Sequence, residues 1–363
     1  MSVEFIGFVN TREFSEIHPQ KGAVLDTAYI ETVAKAHEYA GFDRALVAFH
    51  STSPDSIVVS QHALAVTHRL GVMIAHRPGF TAPTVAARQL ATMDQIYGGR
   101  VAVHIITGGD DAEMRSDGDT LTKDERYART DEYLEIMRRV WTADAPFDFD
   151  GKYYRVERAY SAIRSVARPH IPVYFGGTSD AAIPVAGKHA DIYALWGETH
   201  AQVRELTARV RAAAARHGRS PRFSLSLRPI LADTEEAAWK RADDILDRAL
   251  ALAEKTGYKR VGAPPNDGSR RLLAAAAQGS RLDKRLWTGL AALTGAKGNS
   301  TSLVGTPEQV ADAMLDYWDL GVSTFLIRGF DPLEDAVDYG KALIPLTRAL
   351  VAQREAQRPA RAS

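Results

Sequence analysis

The sequence predicts an α/β protein of the (β/α)8 barrel class. Short apolar runs rich in β-branched residues recur along the whole chain, each is followed by a longer stretch of helical periodicity, and the alternation repeats about eight times. The apolar runs are continuous rather than alternating, the pattern of parallel strands covered on both faces. A doubly wound open sheet is the competing class, but it closes in fewer strands, and no Gly-x-Gly-x-x-Gly follows the first run.

Taken in order, VEFIGFV (3–9) precedes a loop and the helical pattern Asp26–Ala40, and RALVAF (44–49) precedes Asp55–His68. GVMIAH (71–76) leads to Pro83–Ile96, with Pro78 and Pro83 stiffening the connection, and RVAVHIIT (100–107) leads to Lys123–Trp141. IPVYFG (171–176) leads to Ser179–His189, DIYALW (191–196) to His200–His217, RFSLSLRPIL (222–231) to Thr234–Glu254, and STFLIR (323–328) to Pro332–Leu350. Two insertions break the rhythm, at about 143–170 and 255–302. The first contains FDFDGKYYRVE, a hairpin pattern around Asp150-Gly151. The second has the length of a functional lid over a barrel mouth. Neither carries enough apolar residues for a core of its own, so residues 1–350 read as one domain and 351–363 as a polar tail.

The 363 residues are 45% hydrophobic, enough for a large core. Basic and acidic residues balance at 45 each, which implies neither a nucleic acid nor an anionic membrane as partner. There is no cysteine, so disulfides, thiolate metal sites and cysteine nucleophiles are excluded. No apolar run approaches the roughly 20 residues of a membrane span, and MSVEFIGFVN does not read as a signal peptide. A cytoplasmic protein is expected.

A barrel carries its chemistry at the carboxyl ends of its strands. YFGGTSDAA (174–182) places Gly176 and Gly177 where backbone can approach a ligand, and Thr178 and Ser179 at a helix start where a phosphate can be held. The same hydroxyls would serve equally as ordinary helix caps. In VAVHIITGGD, Thr107 and Gly108 end the fourth strand pattern and leave room for a flat ring against the backbone. The charged run after them reads as a solvated loop, and Arg126 and Tyr127 can reach back over it. Asp110, Asp111 and Glu113 admit a carboxylate metal site, but no histidine pair of ligand spacing accompanies them, so no metal is expected. Arg77, in HRPGF, offers either a fixed positive charge to a ligand or an ion-pair partner to a nearby acid. His18 and His50 follow the first two strands and are acid/base candidates.

Taken together, HRPGFTAPTVAARQLATMD, VHIITGGD, DGDTLTKDERYARTDEYLEIMRRVW, DFDGKYYRVE, PVYFGGTSDAA, YALWGE, AAAARHGR, LVGTPEQVADAM and FLIRGFDPLEDA resemble the FMN-dependent alkanesulfonate monooxygenases of the bacterial luciferase-like superfamily, over nearly the whole chain. The resemblance implies a luciferase-like barrel in which reduced FMN, supplied by a separate NAD(P)H-dependent FMN reductase, activates O2 to cleave a sulfonate to aldehyde and sulfite. It also implies a homo-oligomer, dimer or tetramer. By position, Thr107, Gly108 and His104 lie beside the flavin, Tyr127, Gly176, Gly177, Thr178 and Ser179 surround its phosphate, and Trp196 walls the substrate side. His104 stands where the family has asparagine, and an interior histidine paired to backbone is its other reading. Other family positions are altered: Ser226 and Arg228 replace Arg-x-His, Ser53 replaces cysteine, Phe330 replaces tyrosine with Arg328 two residues before it, and a lid arginine falls near Lys297. Arg228, His50, Trp196 and Lys297 are therefore the catalytic candidates, and Arg77, Ser53, Ser226, Arg328 and Phe330 the substrate-binding ones, with Arg228 equally open to pairing with a rim acid. Competing functions are a deazaflavin-dependent oxidoreductase, a non-catalytic flavin-binding protein and a metal-dependent barrel hydrolase.

Overall fold

A computed structural model describes residues 2–256, 264, 266–296, 298 and 300–357. In chain order these form β1 (Glu4–Phe8), α1 (Thr27–Tyr39), β2 (Arg44–Val47), α2 (Ser56–Ala65), β3 (Gly71–His76), α3 (Pro83–Ile96), β4 (Val101–Ile105), α4 (Asp111–Ser116) and α5 (Lys123–Thr142). A hairpin, β5 (Phe147–Asp150) and β6 (Arg155–Ala159), precedes β7 (Val173–Gly176), α6 (Ala182–His189), β8 (Ile192–Trp196), α7 (His200–Ala215), β9 (Arg222–Leu227), β10 (Ile230–Leu231) and α8 (Glu235–Thr256). There follow α9 (Asp267–Ala276), β11 (Arg281–Leu282), β12 (Leu286–Trp287), α10 (Gly289–Thr294), β13 (Ser302–Gly305), α11 (Pro307–Asp319), β14 (Val322–Ile327), α12 (Pro332–Asp338), a π-helical turn at Tyr339–Leu343 and α13 (Ile344–Ala356). Eight strands close into a barrel in the order β1-β14-β9-β8-β7-β4-β3-β2, the expected (β/α)8 class.

The chain divides into two compact units. The first takes the described residues of 1–45, 195–207 and 222–363. Its barrel strands pair in parallel, β1 with β14 and β14 with β9, so that Phe5 lies beside Phe325 and Phe325 beside Leu225. All three side chains are fully buried. The second unit takes 46–194 and 208–221, with β3, β4 and β7 in parallel register and β7 continuing to β8. Local chemistry sets the helix starts. Asp55 accepts from the amides of Ile57 and Val58, and Thr122 with Glu125, and Thr306 with Gln309, form reciprocal capping boxes.

Three sequence expectations are corrected. RFSLSLRPIL is not one strand: it breaks after Leu227, because Pro229 has no N–H to donate, and Ile230 and Leu231 pair instead with Val304 and Gly305. The described residues of the second insertion supply α9, α10 and β11 to β13, the last three part of a four-stranded sheet ordered β10-β13-β12-β11. The charged run after Gly108 contains α4, since Asp110 caps the amides of Ala112 and Glu113. The C-terminal helix continues to Ala356, past Leu350, with Val351 buried. The hairpin at 147–159 forms as expected. Among the described residues no helix is long and apolar enough to cross a membrane.

Candidate active site

The predicted site residues fall into two groups, one in each unit. In the second unit the turn after β7 is shaped by Gly177, whose φ of +134° only glycine adopts readily. A Cβ there would stand 2.6 Å from the Tyr127 hydroxyl and 2.9 Å from the Ala182 Cβ. The phenol of Tyr193 donates to the Gly177 carbonyl, and the rings of Tyr127 and Phe175 pack at 6.3 Å, so aromatic side chains fix the turn. Thr178 Oγ1 is buried and has no partner among the described residues. Ser179 Oγ accepts from the Ala182 amide at 3.3 Å, so Ser179 already does part of a cap's work. An unpartnered buried hydroxyl costs about 1–3 kcal/mol unless a ligand satisfies it. Of the two hydroxyls, Thr178 is the one left open.

Thr107 is buried at the end of β4, and Gly108 follows with φ +86°. The Cβ position of Gly108 is filled by Met114 of α4, with Sδ 2.1 Å from where that carbon would stand. Glycine is thus favoured by backbone conformation and by the packing of Met114 against it. The fully buried Arg126 fastens this segment, donating to the Leu121 carbonyl at 2.6 Å, the Gly108 carbonyl at 3.3 Å and Asp111 at 2.6 Å. His104, on β4, lies opposite Tyr174, with a Cβ built on Gly176 3.8 Å from its ring. Its Nδ1 is buried without a partner among the described residues, and burial pushes its pKa down to about 4, so the imidazole is neutral at neutral pH.

Arg77 is 4% exposed, with both terminal nitrogens engaged and its Nε without a partner among the described residues. It lies 2.8 Å from Glu113 and 3.8 Å from Asp117, donates to Ser51 at 3.3 Å, and covers the Phe49 ring at 4.9 Å. Burial works to raise the pKa of Glu113, but hydrogen bonds from Arg77 and the Ser51 amide outweigh it and hold the carboxyl below its ordinary range. The acids weighed as metal ligands are all in other service: Asp110 caps α4, Asp111 pairs with Arg126 and Glu113 with Arg77. His50 is 64% exposed, 3.6 Å from Glu113, and Ser53 is exposed in the turn after it.

In the first unit a charged cluster forms where β9 and β14 end. Arg228 is fully buried, with Glu16 at 2.6 Å, the Gly329 carbonyl at 3.0 Å and the Phe330 ring under its guanidinium at 3.6 Å. Phe330 is itself fully buried and supports Arg228 instead of facing open space. Arg328 is half-buried, 3.5 Å from the other oxygen of Glu16 and 5.1 Å above the Phe8 ring, and its Nε has no partner among the described residues. Burial alone would raise Glu16, but the two arginines hold it at about 2. Burial and the charge of Arg228 pull Arg328 down to about 10 against the attraction of Glu16. Ser15 ties this loop to the Phe330 carbonyl at 2.6 Å, and His18 binds Asp331 at 2.6 Å. Ser226 is half-buried on β9. Trp196, at the end of β8, is packed against Leu272, Ala291 and Ala296 of the insertion, with Gly268 against its ring. Arg271 of α9 grips the buried Glu198 with two nitrogens, at 2.9 and 2.7 Å, which pins the insertion beside Trp196. Lys297 lies outside the described residues.

Sequence reasoning passed over Glu16, Arg271 and Glu198. Glu16 stands in EFSEIHPQ, where only His18 drew notice, and its partner is 212 residues away. No local spacing signals such a pair.

Known structures share this architecture. A riboflavin lyase (RcaE), solved with modified FMN and riboflavin, superposes with a TM-score of 0.79 at 19% identity, covering 97% of this chain and 92% of that one. An EDTA monooxygenase (EmoA) from Chelativorans sp. BNC1 gives 0.75 at 20% identity, over 96% and 94%. An F420-dependent secondary alcohol dehydrogenase, in complex with an F420-acetone adduct, gives 0.67 at 17% identity, over 95% and 99%. Likeness at these identities speaks for the fold. Residues 3–324 match the luciferase-like monooxygenase family itself, and with nearly the whole barrel inside that match the chain belongs to this family.

Proposed function

We propose that the protein is a cytoplasmic two-component monooxygenase that takes reduced FMN from an NAD(P)H-dependent reductase and uses O2 to cleave a small anionic organosulfur compound, an alkanesulfonate or relative, to aldehyde and sulfite. The observation that carries the flavin reading is the open Thr178 hydroxyl beside the crowded Gly177 turn, in a chain of this family. A phosphate there would satisfy a buried donor at the turn that leads into α6. Tyr127 and Tyr193 hold the turn in shape, and Thr107 and the neutral His104 line the ring end of the same strand edge. Neutral imidazole suits that role, since it offers a hydrogen bond without fixing a charge beside the ring. Reduced flavin, when bound, supplies the electrons that activate O2. The chain's own contribution is to bind, orient and exclude water, and the insertion clamped by Arg271 beside Trp196 serves the last of these.

The arginines at the ends of β9 and β14 support an anionic substrate. The test is oxygen uptake by purified protein with reduced FMN and a panel of sulfonates, scored by sulfite release. Uptake coupled to sulfite is expected; flavin binding with no uptake on any sulfonate would overturn the monooxygenase reading. A second reading, a deazaflavin-dependent oxidoreductase, draws on the fold shared with the F420-dependent alcohol dehydrogenase, and it predicts substrate oxidation or reduction without oxygen consumption.

A further inference from the structure

We infer that the Glu16–Arg228–Arg328 cluster recognises the head group of an amphipathic monoanion, with Arg328 as the specificity-determining residue and Glu16 as a built-in counterion. This rests on the substrate half of the proposed function and not on the flavin half.

Three observations carry it. The cluster sets two guanidinium groups against one carboxylate, and the carboxylate is shared unequally, 2.6 Å from Arg228 and 3.5 Å from Arg328. The amino nitrogens of Arg228 are both used, on Glu16 and on the Gly329 carbonyl, whereas Arg328 reaches only the far oxygen of Glu16, at 3.5 Å; the Nε of each has no partner among the described residues. The neighbouring acids are engaged elsewhere, Asp331 by His18 and Arg241, and Asp335 by Arg241 and the amides of Phe330 and Asp331. Counted over the three cluster residues alone, two guanidinium groups against one carboxylate leave one positive charge.

Arg328 borders a cavity of about 560 Å³ whose lining includes the charged or ionisable Glu16 and His18 and the apolar Phe14, Ala249, Leu252 and Leu293. The volume lies in the range of small-molecule sites, and the lining offers both charged and apolar contacts. A ligand with one negative charge neutralises the cluster. A neutral ligand leaves a half-buried arginine unanswered, and a dianion leaves an excess negative charge beside Glu16, so both are disfavoured. A sulfonate or carboxylate on a short hydrocarbon chain meets the requirement.

The experiment is calorimetric titration of the flavin-free full-length protein at pH 8 with hexanesulfonate, hexanoate, hexanol and hexyl phosphate. The two monoanions should bind about tenfold or more tighter than hexanol and than the dianionic phosphate, with about a fourfold gain for each added methylene in a lengthened chain. The pair of monoanions separates a sulfonate-shaped from a carboxylate-shaped site, since the better fit binds tighter. Arg328→Gln should erase the monoanion's advantage and leave hexanol affinity as it was, while Arg328→Lys retains most of it. Glu16→Gln, where it folds, should turn the preference toward hexyl phosphate. Equal binding of hexanol and hexanesulfonate, loss of all ligands alike in Arg328→Gln, or no binding of any ligand would overturn the assignment. FMN affinity, measured on the same samples, reports separately on the flavin reading.

Discussion

The two groups of candidate residues solve opposite electrostatic problems. In the second unit, the β7 turn and the β4 edge leave polar atoms open and uncharged: a threonine hydroxyl without a partner and an imidazole kept neutral by burial. In the first unit the side chains are charged and already bound to one another, with Glu16 serving two arginines at once. An open neutral polar group costs about 1–3 kcal/mol while it waits, less than an unpaired buried charge, and gains a hydrogen bond when a ligand arrives. A buried charge cannot wait, and must bring its counterion with it. The chain therefore holds its proposed cofactor contacts ready in one unit and answers two arginines with one carboxylate in the other.

That contrast predicts the largest effect. Glu16→Ala leaves Arg228 and Arg328 enclosed without a counterion and should cost about 3–5 kcal/mol in urea unfolding, against less than about 0.5 kcal/mol for the exposed His50→Ala. Because Glu16 is held at about 2 in the folded protein, its contribution is complete above its ordinary carboxyl range and is lost as pH falls from about 4.5 toward about 2. The variant should lose less stability than the parent across that window. Equal acid sensitivity would mean that the pair is not coupled to folding. Gly177→Ala comes next. A Cβ meets Tyr127 and Ala182 at φ +134°, so about 1–3 kcal/mol of stability should go, together with FMN affinity. An unperturbed Tm would show that the turn is looser than its contacts indicate.

How much of this was legible in the sequence follows the same division. The barrel could be read because each strand is a local apolar run and each helix has local periodicity; Pro83–Ile96 and Gly71–His76 fall where the pattern puts them. The β7 turn could be read because glycine and hydroxyl residues sit side by side in YFGGTSD. The Arg228 site could be read only in part. Its arginine was visible, but Glu16 is brought to it by barrel closure, and no spacing rule spans 212 residues. Gly108 teaches a subtler lesson: the glycine was visible, but not that Met114, a side chain from a helix that a run of Asp and Glu had concealed, packs where its Cβ would be. Asp110 made that helix possible by capping it, so the charge taken for solvation was partly structural.

The neutral imidazole gives the next test. With a folded pKa of about 4 against an ordinary value near 6.5, His104 stabilises the fold fully above the upper value and progressively less as pH falls toward the lower one. His104→Gln should accordingly lose less stability between pH 7 and pH 5 than the parent, by an amount on the order of 1 kcal/mol. His37 and His76 are also held at about 4, so the parent keeps much of its slope, and the measurement is the difference between the two curves. No difference would mean that burial does not lower the pKa of His104 in the folded protein, and the second unit's side of the contrast would fail.

The smallest expected effect is the most specific. Thr178→Val keeps the volume and the β-branching and removes an unpaired buried hydroxyl, so Tm of the flavin-free protein should stay within about 2 °C. FMN affinity should fall about fivefold, the worth of one hydrogen bond of about 1 kcal/mol, and Thr178→Ser should restore most of it. Riboflavin, which lacks the phosphate, should bind parent and variant alike. If FMN and riboflavin both weaken, the hydroxyl acts on the ring or on the turn; if neither does, Thr178 is buried and open for no ligand, and the phosphate contact belongs to Ser179 and the backbone alone.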